Sequence, residues 1–252
     1  MSVFNTSQAV LSGAWSLALG QVGDDVATTG RVQGYIATSA TTAVAVRATT
    51  YTPQGTNAQR SVSSSNANDT SAGTGARTVK VNYLNTSFVL KSETITMNGT
   101  NAVNTSASDI AYIESMEVLT VGSGGGNAGT VRIYTQTAGD GSIWGSIATG
   151  ENQTFWAHHY VPAGVTCYII SQSAGATVVA GQSNMNHISD PSNANSPQRQ
   201  IGVTLVHAAA NSWSHEFQVP MAVAGPDLIW VVERPVSGTA STAVAGFEYV
   251  QF

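Results

Sequence analysis

The sequence predicts an all-β chain, an antiparallel β-sandwich of jelly-roll type, preceded by an N-terminal arm with room for a short helix. Segments of β-branched and aromatic residues recur with a period of two, as in Val44-Ala45-Val46-Arg47-Ala48-Thr49-Thr50-Tyr51 and Thr78-Val79-Lys80-Val81-Asn82-Tyr83-Leu84. Turn formers separate these segments at intervals too short for the crossovers of a parallel sheet. Only 9% of residues are charged and 25 are glycine, which excludes a long charged helical protein. With 252 residues, 42% of them hydrophobic, the chain can bury a sizeable core. An antiparallel chain of that size must stack two sheets or close one.

Taken in order, residues 5–19 are the one stretch with helical character, with Val10, Leu11, Ala14 and Trp15 as its apolar positions. Residues 1–28 read as an arm and 29–252 as the body, in two lobes with a break near residue 150. The run ending Ala18-Leu19-Gly20 resembles an export cleavage site, but the first basic residue is Arg31, so the charged leader of an export signal is missing. No later run is long and apolar enough to span a bilayer. After the two strands quoted above, strand character returns at 110–121, 131–134, 154–161, 165–171, 203–207, 216–219, 228–233 and 243–252. In all this makes about a dozen strands. Asn98-Gly99, Gly139-Asp140-Gly141, Pro162-Ala163-Gly164 and Gly225-Pro226-Asp227 supply turns, and the glycine run 122–126 reads as a flexible hairpin tip. Phe155, Trp156, Tyr160, Trp213, Phe217, Trp230, Phe247 and Tyr249 fall inside predicted strands, where they would fill the space between sheets. Residues 61–75 have almost nothing to bury, so composition allows either a linker or an ordered loop capped by Asp69 with Arg77 anchoring its exit.

Candidate chemistry is sparse. Net charge is −5, with 9 Lys and Arg against 14 Asp and Glu, so no basic face is available for nucleic acid. The lone Cys167, in the apolar run Val165-Thr166-Cys167-Tyr168-Ile169-Ile170, reads as a buried strand thiol. His158 and His159 are adjacent on a predicted strand and point to opposite faces. With His187, His207 and His215 they lack the paired-histidine-plus-acid spacing of a cupin metal site, and no metal or cofactor is expected. Glu114 and Glu117 are three apart, so strand parity sets them on opposite faces and denies them an acid/base partnership. Asp24-Asp25 sits in a glycine turn, where Asp is favoured for local hydrogen bonding; a calcium site is the alternative reading. No nucleophile elbow or phosphate loop is present. The Asn-x-Ser/Thr triplets at Asn85, Asn98 and Asn152 are what so Asn- and Ser-rich a chain makes by chance. No catalytic residue is assigned and no enzymatic activity is expected.

Residues 63–84, with their Ser-Ser-Ser-Asn-Ala-Asn-Asp-Thr-Ser-Ala-Gly-Thr-Gly-Ala-Arg-Thr-Val run, resemble a segment of virion-associated proteins of tailed bacteriophages, including cyanophages. The likeness continues through 92–100, 113–121, 127–131, 150–154 and 160–169, and covers roughly residue 61 to the C-terminus. It implies an ordered loop at 61–75 and a virion component with a jelly-roll or related sandwich. It supplies no catalytic positions, and the first sixty residues do not match it.

Two functions follow as expectations. The first is a capsid decoration or cement protein, a homotrimer on the outer shell that stabilises the major capsid lattice after assembly in the host cytoplasm. Its partners would be the major capsid protein and itself, through residues 1–19 and loops at one end of the sandwich. The second is a tail or fibre module that binds host polysaccharide on an exposed Trp144, Trp156 or Trp213.

Overall fold

The computed structural model describes residues 28–38, 44–46, 55–135, 143–176, 181–193, 196–207, 211–235 and 241–252. Residues 1–27 of the predicted arm, with its helix and the Asp24-Asp25 turn, and the Gly139-Asp140-Gly141 turn lie outside these residues. Among the described residues there is no helix, and every strand pairing is antiparallel.

Eight strands form a two-sheet sandwich: β1 (Thr28–Thr38), then β10 (His158–Val161), β11 (Thr166–Ala176), β12 (Gly181–Ile188), β13 (Arg199–His207), β14 (Asn211–Ala224), β15 (Asp227–Pro235) and β16 (Ser241–Gln251). One sheet has the order β1-β16-β11-β14 and the other β10-β15-β12-β13. The first strand pairs with the last, the second with the seventh, the third with the sixth and the fourth with the fifth. That nesting is a long antiparallel ribbon rolled into two sheets, which is the jelly-roll topology. Between the sheets, Cys167, Ile169 and Phe247 of one pack against Met185, Ile229 and Val231 of the other.

The remaining strands lie in the chain between β1 and β10. β2 (Val44–Ala45) adds a short pairing beside β15. β3 (Ser61–Ser64), β6 (Val103–Asn104), β8 (Val131–Tyr134) and β9 (Ile143–Ile147) make one sheet, ordered β6-β3-β8-β9. β4 (Ala76–Leu84), β5 (Leu90–Thr96) and β7 (Tyr112–Val121) make another, ordered β5-β4-β7. This inserted lobe has its own core around Val79, Val81, Ile113, Met116, Ile133 and Trp144, which continues into Tyr160, Leu228 and Trp230 of the jelly roll. β15 is therefore covered on both faces, and its unbroken run Leu228-Ile229-Trp230-Val231-Val232 follows from that. Each such buried side chain contributes roughly 1.5–3 kcal/mol.

Residues 61–75 form an ordered element. Ser61–Ser64 is the wholly buried strand β3, and Asp69, fully buried, organises the loop after it. Asp69 Oδ1 accepts from the amides of Ala76 (2.6 Å) and Ala128 (2.8 Å), and Oδ2 from the Gly129 amide (2.9 Å) and the Ser64 hydroxyl. Arg77 Nε donates to the Gly73 carbonyl at 3.1 Å. The glycine run is a packed connection rather than a hairpin tip, because it joins β7 and β8 of different sheets. A Cβ on Gly122 would lie 2.1 Å from the Gly73 carbonyl oxygen, so only glycine admits this approach.

Candidate functional site

The two lobes meet along a cleft of about 790 Å³. Its walls come from Arg31 and Gln33 of β1, Lys80 and Asn82 of β4, Glu114 to Glu117 of β7, the segment Gln153 to Trp156, and His159, Tyr249 and Gln251 of the jelly roll. β1 packs closely onto the opposite sheet of the jelly roll because residue 34 is glycine: a Cβ there would lie 2.4 Å from the carbonyl oxygen of Val46, which pairs beside β15, and 2.5 Å from the Ala157 amide. Gly30 plays a similar part on the same strand, where the Tyr249 ring lies across it.

Glu114 owes its position to a β-bulge. Asn82 pairs with Ser115 and Tyr83 with Ile113, leaving Glu114 as the extra residue of β7. The bulge breaks the parity on which Glu114 and Glu117 were expected to face opposite sides: both line the cleft. They are nonetheless separately engaged, Glu117 with Lys80 at 3.1 Å and Glu114 with His159 Nδ1 at 2.7 Å. Glu114 also accepts from the Tyr160 amide at 2.9 Å. Gln251 Oε1 meets His159 Nε2 at 3.0 Å, and Tyr249 stacks on the imidazole with centroids 4.2 Å apart. Burial by itself would raise the Glu114 carboxyl. The charge and hydrogen bond of His159, with His158 and the Tyr160 amide, outweigh it and hold the group below the ordinary carboxylate range. A carboxylate held ionised in this way is a fixed negative charge, not a proton donor.

His158 projects to the other side of β10, stacked against Trp156 at 5.2 Å, with Nε2 3.1 Å from the Glu114 carbonyl. His187 pairs with Asp227 at 2.9 Å, and His215 is exposed with its ring against Phe217. The His207 side chain lies outside the described residues. Burial raises the Asp227 carboxyl, which the hydrogen bond from His187 offsets in part. Cys167 is fully buried, and that burial pushes its thiol up to about 12, as suits a packing residue. Among the described residues no three His, Cys, Asp or Glu side chains gather as a metal site requires.

Of the three tryptophans read as alternatives between core and platform, Trp156 takes the core reading and Trp213 the exposed one. Trp144 is 2% exposed beneath the Arg60 guanidinium, which lies 3.1 Å from the ring centroid, and Trp156 is 4% exposed against Gly145. Neither offers a sugar platform. Trp213, expected among the core aromatics, is 56% exposed on the sheet-edge strand β14. It borders a smaller hollow of about 290 Å³ with Arg31, Gln33, Ser212 and Ser214.

No protein-family model matches the chain, and no curated protein matches it. Among solved structures it has a weak likeness to infectious bursal disease virus, Gt strain, at 8% identity and a TM-score of 0.25, covering 96% of this chain and 77% of that one. Another is to the STIV MCP, at 10% identity and a TM-score of 0.21, covering 89% and 97%. Likenesses this distant carry no argument, and the jelly-roll assignment rests on strand order alone.

Proposed function

We propose that this chain is a virion structural protein, a capsid decoration or cement protein on the outer shell, assembled as a homotrimer against the major capsid protein. The observation that carries the reading is the architecture itself: a jelly roll with a second two-sheet lobe inserted between its first two strands. One body can seat on the shell while the other reaches neighbours. The exposed apolar residues Val206, Trp213 and Val219, at 63%, 56% and 80%, lie on β13 and β14, edge strands of the two sheets. They offer a contact surface that salt would weaken little. The resemblance read from the sequence, over roughly residue 61 to the C-terminus and in outline only across 220–252, implies the same assignment. Copy number per purified particle, measured by quantitative mass spectrometry against the major capsid protein, tests it. Copies in proportion to the capsid lattice are expected, and a protein absent from particles would end the proposal.

The exposed Trp213 favours a second reading, a tail or fibre module that binds host polysaccharide. In that case only a few copies per particle would be found.

A further inference from the structure

We propose that the interlobe cleft is a binding site for a neutral oligosaccharide. The inference deepens the second reading above, and moves its site from the tryptophans to the cleft. Three features of the cleft point to this ligand class. Its volume, about 790 Å³, lies within the range of small-molecule sites. Its charges are balanced within the protein: Arg31 pairs with Glu248 at 3.7 Å, Lys80 with Glu117 at 3.1 Å, and Glu114 with His159 at 2.7 Å. A phosphate or carboxylate ligand would have to compete with Glu248 and Glu117 for the Arg31 and Lys80 side chains, whereas a neutral one need not. What remains for recognition is amides and aromatic surface. Gln33 and Gln153 are exposed, and Asn82 gives its Nδ2 to Ser115 at 2.9 Å, which leaves its carbonyl oxygen for a ligand. A side-chain amide can donate to one hydroxyl and accept from its neighbour, which suits the hydroxyl array of a sugar ring. Phe155 and Tyr249 supply partly buried apolar walls for the ring faces.

Binding alone is inferred, without hydrolysis. A glycosidase needs one carboxyl that keeps its proton, while Glu114 is held as the anion and Glu117 is bound to Lys80.

The test is a glycan array of neutral oligosaccharides probed with the full chain, followed by titration of the best ligand by isothermal calorimetry. The double variant Asn82→Ala/Gln153→Ala is expected to weaken binding at least about tenfold, the loss of two hydrogen-bonding groups. Trp213→Ala is expected to leave it unchanged. Asn82 is half-buried and bonded to Ser115, so the double variant must keep its circular dichroism spectrum and melting point, and the exposed change Gln153→Ala alone is expected to weaken binding in the same direction. Binding that survives the double variant but is lost in Trp213→Ala would overturn the cleft while leaving a glycan-binding protein. Absence of any glycan ligand would overturn both.

Discussion

Asp69 shows how much one buried carboxylate can organise. Its two oxygens serve four donors drawn from residues 64 to 129, so Asp69→Ala would leave the buried amides of Ala76 and Gly129, and the half-buried one of Ala128, without acceptors. Each such amide costs about 1–3 kcal/mol, and we expect a loss of about 3 kcal/mol or more in urea unfolding. Glu114 acts through protonation. Its folded value lies below the ordinary 4.5, so the folded state binds fewer protons than the unfolded chain in the acid range. The stability it contributes is complete above about 4.5 and is lost as pH falls through the folded value. Melting temperatures recorded between roughly pH 6 and pH 3 should therefore fall more steeply in the wild type than in Glu114→Gln. Equal slopes would show that the carboxylate is not stabilised by its partners. At this scale the sequence was legible where a residue's type decides its role, as for Asp69 in a Gly- and Ser-rich loop and Cys167 in an apolar run. It was opaque for Trp213, because whether a strand tryptophan is covered depends on the length of the sheet opposite.

Among elements, β1 closes over the interior of the jelly roll, and Gly34 is its point of closest approach. Gly34→Ala would force a methyl into the backbone at Val46 and Ala157. We expect about 1–3 kcal/mol of destabilisation from that overpacking, read by thermal melting. The added methyl would also press on the Phe155 carbonyl oxygen at 3.0 Å, at the margin of the cleft. β1 itself escaped the sequence reading because Thr28-Thr29-Gly30 and Gln33-Gly34 dilute its alternation; these glycines are there for ring and backbone approach, not for turns. β4, β7, β8 and β15 were plain from their β-branched runs. The bulge at Glu114 was not, since an extra residue in one strand is defined only by the register of its partner. With it went the parity argument about Glu114 and Glu117, and with that the composition of the cleft.

Over the whole molecule, the antiparallel two-sheet character followed from short turns and alternating segments, while the jelly roll's interruption by a second lobe did not. Pairings such as Thr28 with Gln251 join opposite ends of the described chain, and no local pattern announces them. That pairing also sets an order of events during synthesis. The strands of the inserted lobe find all their sheet partners among residues 61–147, so both sheets can form before strands β10 to β16 have emerged from the ribosome. β1 cannot: among the described residues its one sheet neighbour is β16, some two hundred residues further along the chain. The nascent chain must therefore carry the unpaired β1 past an already folded lobe until β16 has been made, and a chain truncated before residue 241 would never retire that open edge.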